Sequence, residues 1–289
     1  MKVSGFTIVR NAIKFDYPVV EAILSILPLC DEVVVGVGKS EDGTLELIRS
    51  IASPKIRIIE TVWDEGLREG GKVLADETNK VFRAISKDST WAFYIQGDEV
   101  IHEKYLPAIR ESMKRWHDTT DVEGLLFRYT HFYGSYDLVG DSRRWYRNEV
   151  RIVRNDHRIA SWKDAQGFRK QGDKLSVKQV DAEVYHYGWV KPPGAQQAKQ
   201  QSFHKMWHND EWMKKHVPAV REFDYSGIDS LVRFKGTHPE VMKGRIGKKN
   251  WNFSFDPTRK RFSFRARVPY LIEKITGWRV GEYQNYKIV

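Results

Sequence analysis

Residues 7–48 read TIVRNAIKFDYPVVEAILSILPLCDEVVVGVGKSEDGTLELI and contain a β-rich run, a helical pattern, a second apolar run and a polar turn. The continuous β-branched run at residues 33–37 is typical of a strand buried on both faces of a parallel sheet. Apolar spacing predicts helices at residues 19–29 and 44–51, and Pro18 suits the first turn of the earlier one. This β-α-β-α order predicts an α/β fold with an open, mostly parallel sheet and flanking helices.

The same alternation continues outward from this stretch. Short apolar runs predict strands at residues 6–9, 56–59 and 91–95, and apolar spacing predicts a helix at residues 72–85. After residue 100 the rhythm changes. There the pattern predicts a helix at residues 105–116, strands at 124–129, 149–153 and 180–187, and a polar-aromatic loop between the first two of these strands.

Composition limits the classes to which the chain can belong. Its 289 residues, 41% of them hydrophobic, allow one large domain with an extension or two small domains. We find neither an apolar run of 18 residues nor a signal-peptide stretch at the start, and the single cysteine, Cys30, excludes an intramolecular disulfide. These features predict a cytoplasmic protein.

Charge divides the chain unevenly. Residues 1–100 carry 12 Lys/Arg and 16 Asp/Glu, whereas residues 191–289 carry 20 and 9. The Lys-Pro-Pro-Gly break at residues 191–194 therefore predicts a first domain at 1–190 and a basic, aromatic extension at 191–289, with a helix at 196–216. A basic surface favours anionic partners such as phosphates, nucleic acid or acidic lipid headgroups.

Two adjacent carboxylates follow the fourth predicted strand. Residues 93–101 read FYIQGDEVI, so Asp98 and Glu99 come directly after a buried run. In open α/β sheets, ligands bind in the crevice at the carboxyl ends of the strands, which predicts that this pair lines a cleft. The alternative is that Asp98 caps a helix beginning near His102, with Glu99 favouring its N-terminus.

These motifs, in this order, resemble family 2 glycosyltransferases over residues 3–190. The resemblance rests on the polar loop after the first strand, the SEDGT turn at residues 40–44 and YIQGDEVI at 94–101. RIVRNDHRIASWKDAQGF at 151–168 and VYHYGWV at 184–190 are similar to the back half of the same domain. The resemblance implies a GT-A fold and transfer of a sugar from a nucleotide-sugar donor to an acceptor hydroxyl, with Mn²⁺ or Mg²⁺ as the cofactor.

The resemblance also implies roles for individual residues. Asp98 and His186 would hold the divalent cation, and Gln96 stands where the family has its first aspartate. Asp164 would be the general base of an inverting transfer, with Glu149 and Asp141 as rival carboxylates. Contacts to the nucleotide fall to Arg10, Asn11, Asp42 and Lys72. For each residue an ordinary structural role is the alternative: a packed histidine, a loop aspartate, a helix cap or a solvated lysine.

Two other functions stay open at this point. A nucleotidyltransferase uses a related sheet, but VRNAIKFDYP at residues 9–18 is not the Gly-rich phosphate loop that such an enzyme needs. The extension, with bases among its aromatics, could instead bind single-stranded nucleic acid, although we find no recognisable motif for this. If the chain is a transferase, the extension would bind an anionic glycan or other acceptor, or contact a membrane surface peripherally.

Overall fold

The computed structural model describes residues 1–67, 70–216, 220–258 and 260–289 of the chain. Its strands are β1 (Val3–Val9), β2 (Glu32–Gly38), β3 (Ile56–Thr61), β4 (Trp91–Tyr94), β5 (Glu99–Ile101), β6 (Gly124–Tyr133), β7 (Ser135–Gly140), β8 (Asn148–Arg154), β9 (Ile159–Trp162), β10 (Gly167–Lys170), β11 (Asp173–Lys174), β12 (Ser176–Trp189), β13 (Leu231–Arg233) and β14 (Lys287–Ile288).

The α-helices are α1 (Val19–Ile26), α2 (Thr44–Arg49), α3 (Lys72–Ala84), α4 (Leu106–Arg115), α5 (Pro193–Lys205), α6 (Asp210–His216), α7 (Lys243–Gly247) and α8 (Phe264–Thr276). Short 3-10 helices lie at Leu27–Leu29, Glu103–Tyr105, Tyr225–Gly227 and Glu240–Met242.

The larger sheet runs in the order β13-β7-β6-β8-β4-β1-β2-β3, and β12 pairs with β6 off this path. Strands β4, β1, β2 and β3 are mutually parallel, as the sequence predicts for the first hundred residues. Strand β8 enters antiparallel between β4 and β6, while β12 runs parallel to β6. The predicted α/β class, with an open sheet and flanking helices, is confirmed.

Helices cover both faces of the parallel part of the sheet. Along β2, Val33, Val35 and Val37 pack into a core with α1 and α4. Val34, between them, packs with Val81 of α3 on the other face. Because both faces are covered, every position of the strand can be apolar, which explains the unbroken β-branched run.

Three local predictions are wrong. The loop predicted at residues 130–148 contains the end of β6 and all of β7, whose aromatic side chains pack into the sheet rather than remaining in a polar loop. The alternative role of Asp98 as a helix cap is also wrong, because the 3-10 helix that begins at Glu103 is capped by His102, which accepts from Lys104 N, while Glu99 opens β5. The helix predicted at residues 196–216 is divided into α5 and α6.

Residues after 190 join the sheet as well as flanking it. Strand β13 pairs with β7, and β14 pairs with β12. From α7, Arg245 binds Asp16 at 2.5 Å and Glu21 at 2.9 Å, both in the first domain predicted from the sequence. The division into residues 1–190 and 191–289 stays a prediction. Over the described ranges, every helix is too short or too polar to cross a bilayer.

Candidate functional site

A cleft of about 580 Å³ opens at the carboxyl ends of β1 and β4. Its walls bring together five of the residues selected from the sequence: Arg10, Gln96, Asp98, Asp164 and His186. Helix α5 forms a further wall, which the sequence did not predict, and contributes Lys199, Ser202 and Phe203. The predicted position of a cleft at the strand ends agrees with this geometry.

Asp98 is paired with a lysine from α5. Its Oδ2 accepts a hydrogen bond of 2.9 Å from Nζ of Lys199, which also donates to the carbonyl oxygen of Gly188 at 3.0 Å. Asp98 is 8% exposed. Burial alone would raise the pKa of Asp98, but the positive charge of Lys199 and other neighbours holds this pKa below its ordinary value. Asp98 is therefore a carboxylate throughout the neutral range.

Glu99, its neighbour in sequence, points into the core. It accepts hydrogen bonds from Nε and Nη2 of Arg151 at 2.8 and 2.7 Å, and both side chains are fully buried. The hydroxyl of Tyr129 and the backbone N–H of Gln96 also donate to this carboxylate, at 2.8 and 3.1 Å. Glu99 thus fixes the turn that carries Asp98, and both of its carboxylate oxygens are bound by groups of the protein.

His186 is oriented by a second histidine. Strand β12 sets His186 opposite Glu99 on β5 and opposite His131 on β6. Nε2 of His131 lies 2.8 Å from the carbonyl oxygen of Tyr146, which can only accept, so this nitrogen carries the proton. Nδ1 of His131 then accepts from Nδ1 of His186, 3.0 Å away.

These two hydrogen bonds leave Nε2 of His186 without a proton, 3.8 Å from Oδ2 of Asp98. Burial lowers the pKa of both His131 and His186, so that both rings are neutral.

Asp164 also lines the cleft, in a tight turn between β9 and β10. The residues on either side of it, Lys163 and Ala165, have positive φ angles of 53° and 60°. Gln96 ties this turn to the Asp98 turn by donating from Nε2 to the carbonyl oxygen of Ala165 at 3.2 Å. Burial raises the pKa of Asp164, which makes its carboxylate a better proton acceptor than an exposed one.

A second cavity of about 580 Å³ shares Asp164, Tyr146 and Gln166 with the first. Two exposed cations on its rim, Arg144 and Lys163, accompany the aromatic rings of Trp162 and Trp207. Other arginines of this cavity are neutralised by Glu273 and Glu282, which bind Arg143, Arg147 and Arg279.

Glu149 lines this second cavity and is only 4% exposed. Its Oε2 lacks a hydrogen-bond partner within the described ranges. Burial raises the pKa of Glu149 to about 8, so the group is mostly protonated at neutral pH. Asp141, the other rival carboxylate, is held by Lys260 at 2.9 Å and by Tyr270 at 2.8 Å. Asp141 therefore has a structural role.

The remaining predicted nucleotide-binding residues lie in three places. Arg10 lies at the cleft edge, with Nη2 on Glu65 at 2.9 Å and Nε on the carbonyl oxygen of Lys39 at 3.0 Å. Asn11, at φ 55°, and Asp42 instead hold the adjoining loops together by accepting from Glu41 N and Thr44 N. Lys72 is the first residue of α3. It is absent from the residues that line the cleft, as is Asp42.

The donor set does not fit the divalent cation that the resemblance implies. Asp98 and His186 are the two ligands that the sequence proposed, but Lys199 already donates to the carboxylate oxygen facing His186. The carboxylate of Glu99 is already bound by Arg151, and Gln96 offers an amide, a weaker ligand than a carboxylate. Across the described part of the chain, no three His, Cys, Asp or Glu side chains are grouped to hold a metal.

Lys199 and Arg151 are the two residues of this site that sequence reasoning missed. Each is one basic residue among many, and Lys199 is 101 positions from Asp98 along the chain. Nothing local distinguishes either from a solvated lysine or arginine. The only signal is indirect: a buried carboxylate such as Glu99 needs a cation, and Arg151 lies within an apolar strand.

The run TRKRF at residues 258–262 of the extension contains three basic residues, and two of them have partners within the protein. Lys260 binds Asp141, and Arg261 donates to the carbonyl oxygen of Ser226 at 2.7 Å. Arg259 lies outside the described residues. Docking of this tail to an anionic surface stays a prediction.

Comparison with known proteins finds no matching family model and no matching curated protein. Among solved structures, S. aureus TarS 1–349 aligns with a TM-score of 0.41 at 14% identity, covering 75% of this chain and 69% of that one. TarS 1–349 in complex with UDP aligns with a TM-score of 0.36 at 20% identity, covering 46% of this chain. This chain spans only 37% of that UDP-bound structure.

Glucosyl-3-phosphoglycerate synthase from Mycobacterium tuberculosis, in complex with Mn²⁺, UDP and phosphoglyceric acid, aligns with a TM-score of 0.30 at 18% identity. That alignment covers 45% of this chain and 43% of the synthase. 4-Diphosphocytidyl-2C-methyl-D-erythritol synthase from Anaerococcus prevotii aligns with a TM-score of 0.38 at 13% identity, over 66% and 89% of the two chains. All these values are low, so the function proposed below rests on the geometry of the cleft.

Proposed function

We propose that the protein is a glycosyltransferase that moves a sugar from a nucleotide-sugar donor to an acceptor hydroxyl with inversion. One observation carries this proposal: Asp164, a carboxylate with a raised pKa, lies between two cavities, and one of them contains the Lys199–Asp98 pair. A two-substrate transfer needs this arrangement, with a place for each substrate and a proton acceptor where they meet.

The first cavity is the donor side. A nucleotide-sugar leaves a diphosphate, whose concentrated negative charge requires a cation close by. Lys199 provides such a charge inside the cleft, whereas Arg10 at its edge is paired with Glu65. Trp63 lines the same cleft, is largely buried, and has its ring centre 5.8 Å from the guanidinium carbon of Arg10.

The second cavity is the acceptor side. Trp162 and Trp207 offer flat apolar faces of the kind on which sugar rings pack, and Arg144 and Lys163 favour an acceptor that carries a phosphate or carboxylate. Asp164 opens onto both cavities, and in this proposal it takes the proton of the acceptor hydroxyl. Glu149 is protonated at neutral pH and buried, which makes it a weaker candidate for the base.

Thermal unfolding with a panel of ligands tests the proposal. The panel contains UDP, GDP, CDP, ADP, their common sugar conjugates and the corresponding nucleoside triphosphates. A ligand present at 100 times its Kd stabilises the folded protein by about 2.7 kcal/mol and raises the melting temperature. We expect at least one nucleotide-sugar to do so and its hydrolysis or transfer to be detectable by mass spectrometry.

The same panel identifies the alternative. A triphosphate that stabilises the protein more than any diphosphate or sugar conjugate would favour a nucleotidyltransferase. If no member of the panel changes the melting temperature at millimolar concentration, the cleft is not a nucleotide site and the proposed function fails.

A further inference from the structure

We infer that the ammonium group of Lys199, rather than a divalent metal ion, is the cation that meets the donor's diphosphate. This inference rests on the proposed function and identifies what neutralises the leaving group. It departs from the metal dependence that the resemblance implies, and the contacts of Asp98 are the reason.

The position of Lys199 is fixed from two sides. Its Nζ donates to Oδ2 of Asp98 at 2.9 Å and to the carbonyl oxygen of Gly188 at 3.0 Å. An ammonium group has three N–H donors, so these two bonds leave one for a ligand. Because Lys199 lines the cleft, that third donor is available to a phosphate oxygen bound there.

Tyr17 supports the same ammonium group. The centre of its ring lies 5.1 Å from Nζ of Lys199, and Nζ of Lys191 lies 4.3 Å from the same ring. Lys191 is fully buried and donates to the carbonyl oxygen of Phe15 at 2.7 Å. Burial, together with the charge of Lys199, lowers the pKa of Lys191 well below its ordinary value, so Lys199 is the cation of this pair that an anion bound in the cleft would meet.

A metal ion would compete with Lys199 for the same oxygen. Asp98 and His186 would hold such an ion, but Lys199 already donates to Oδ2 of Asp98, the carboxylate oxygen that lies 3.8 Å from Nε2 of His186. Two positive charges so close together repel each other strongly in a buried site. The remaining acid of the turn, Glu99, is held by Arg151 and cannot offset this repulsion.

The transfer balances without a metal. The bond between the sugar's anomeric carbon and the diphosphate oxygen breaks, and its electron pair stays on the diphosphate beside Lys199. The acceptor oxygen forms the new bond to the anomeric carbon from the opposite face. Its proton passes to the carboxylate of Asp164, and the products are the glycoside, the nucleoside diphosphate and protonated Asp164.

Calorimetric titration of the full chain with UDP, GDP, CDP and ADP tests the inference, in EDTA and again with MnCl₂. The variants are Lys199→Met and the double variant Asp98→Asn/Lys199→Met, which avoids leaving an unpaired buried carboxylate. Lys214→Met is the matched control, because it removes the same charge from an exposed position in α6. Circular dichroism verifies that each variant is folded.

We expect the parent to bind a nucleoside diphosphate equally well in EDTA and in MnCl₂. Loss of a charge-assisted hydrogen bond should weaken this binding roughly 10- to 100-fold in both Lys199 variants and leave it unchanged in Lys214→Met. A requirement for Mn²⁺ in the parent, or equal affinity in parent and Lys199 variants, overturns the inference while leaving the proposed function standing. Failure of the parent to bind any of the four under either condition would contradict both.

Discussion

Glu99 and Arg151 form a two-point ion pair, with distances of 2.8 and 2.7 Å, in which neither side chain is exposed to solvent. Asp98 is the residue immediately before Glu99. Two adjacent carboxylates of one turn therefore have different roles: Glu99 stabilises the core and Asp98 lines the cleft. The energetic consequence of the buried pair can be measured directly.

Arg151→Met should destabilise the fold by about 3–5 kcal/mol, because it leaves Glu99 buried without a counter-charge. The double variant Glu99→Leu/Arg151→Met removes both charges and should cost less than the single one. Chemical denaturation of the three proteins measures this. If the double variant is the less stable, the pair contributes more than its desolvation costs, and our account of it is wrong.

Gly188→Ala should disrupt the Asp98 site without disrupting the core. A Cβ at this position would lie 2.6 Å from Nε2 of His186 and 2.7 Å from Oδ2 of Asp98, closer than such contacts occur. Both of these side chains are confined, so the clash cannot be relieved by a small rotation. We expect weaker nucleoside diphosphate binding, measured by calorimetry.

The control for this variant is Gly244→Ala in α7, where an added Cβ meets no atom within 4 Å. That substitution should leave nucleotide affinity unchanged. Normal affinity in Gly188→Ala would show that the close approach of Asp98 and His186 is not required for binding.

Asp164→Asn should lower the turnover of the identified donor by roughly 10²–10⁴-fold, since the amide cannot accept a proton. A base acts only when deprotonated, so the parent's kcat/KM should rise as pH increases through the pKa of Asp164. Burial places this pKa above its ordinary value. The pH profile of the variant should lack this rise.

Two measurements separate a base from a merely structural aspartate. Nucleoside diphosphate affinity should survive in Asp164→Asn, and the exposed control Asp121→Asn should behave as the parent does. A parallel loss of diphosphate affinity would instead assign Asp164 to the donor site.

Glu149→Gln should change how stability depends on pH. The folded protein holds a proton on Glu149 up to pH about 8, whereas a free glutamate releases it near 4.5. Because the folded state then binds more protons than the unfolded one, the contribution of Glu149 to stability falls as pH rises between these values. Glu149→Gln lacks this loss, so its stability relative to that of the parent should increase from pH 5 to pH 8.

Melting temperatures of both proteins across this range provide the measurement. Glu111→Gln, at an exposed position of α4, should follow the parent at every pH. A constant difference between parent and Glu149→Gln would mean that Glu149 is ionised in the folded protein at neutral pH.

The sequence alone determined the parallel part of the sheet and the edge at which the cleft forms. The unbroken run at Val33, Val34 and Val35 predicts a strand covered on both faces, and the chain's own order of runs predicts helices that cover it. Asp98 lines the cleft because the strand end before it can be read from local patterns, whereas Asp164 was selected only through the family resemblance. Periodicity and turn chemistry are local properties, and they persist wherever the segment packs.

Only the tertiary structure decided what each charge does. Asp98 and Glu99 have the same charge and adjacent positions, yet the pairing of β5 with β12 turns Glu99 toward Arg151. Lys199 reaches Asp98 because α5 returns across the open ends of the strands. A carboxylate's role depends on which cation lies within about 4 Å, and contacts between residues distant in sequence follow from packing rather than from local composition.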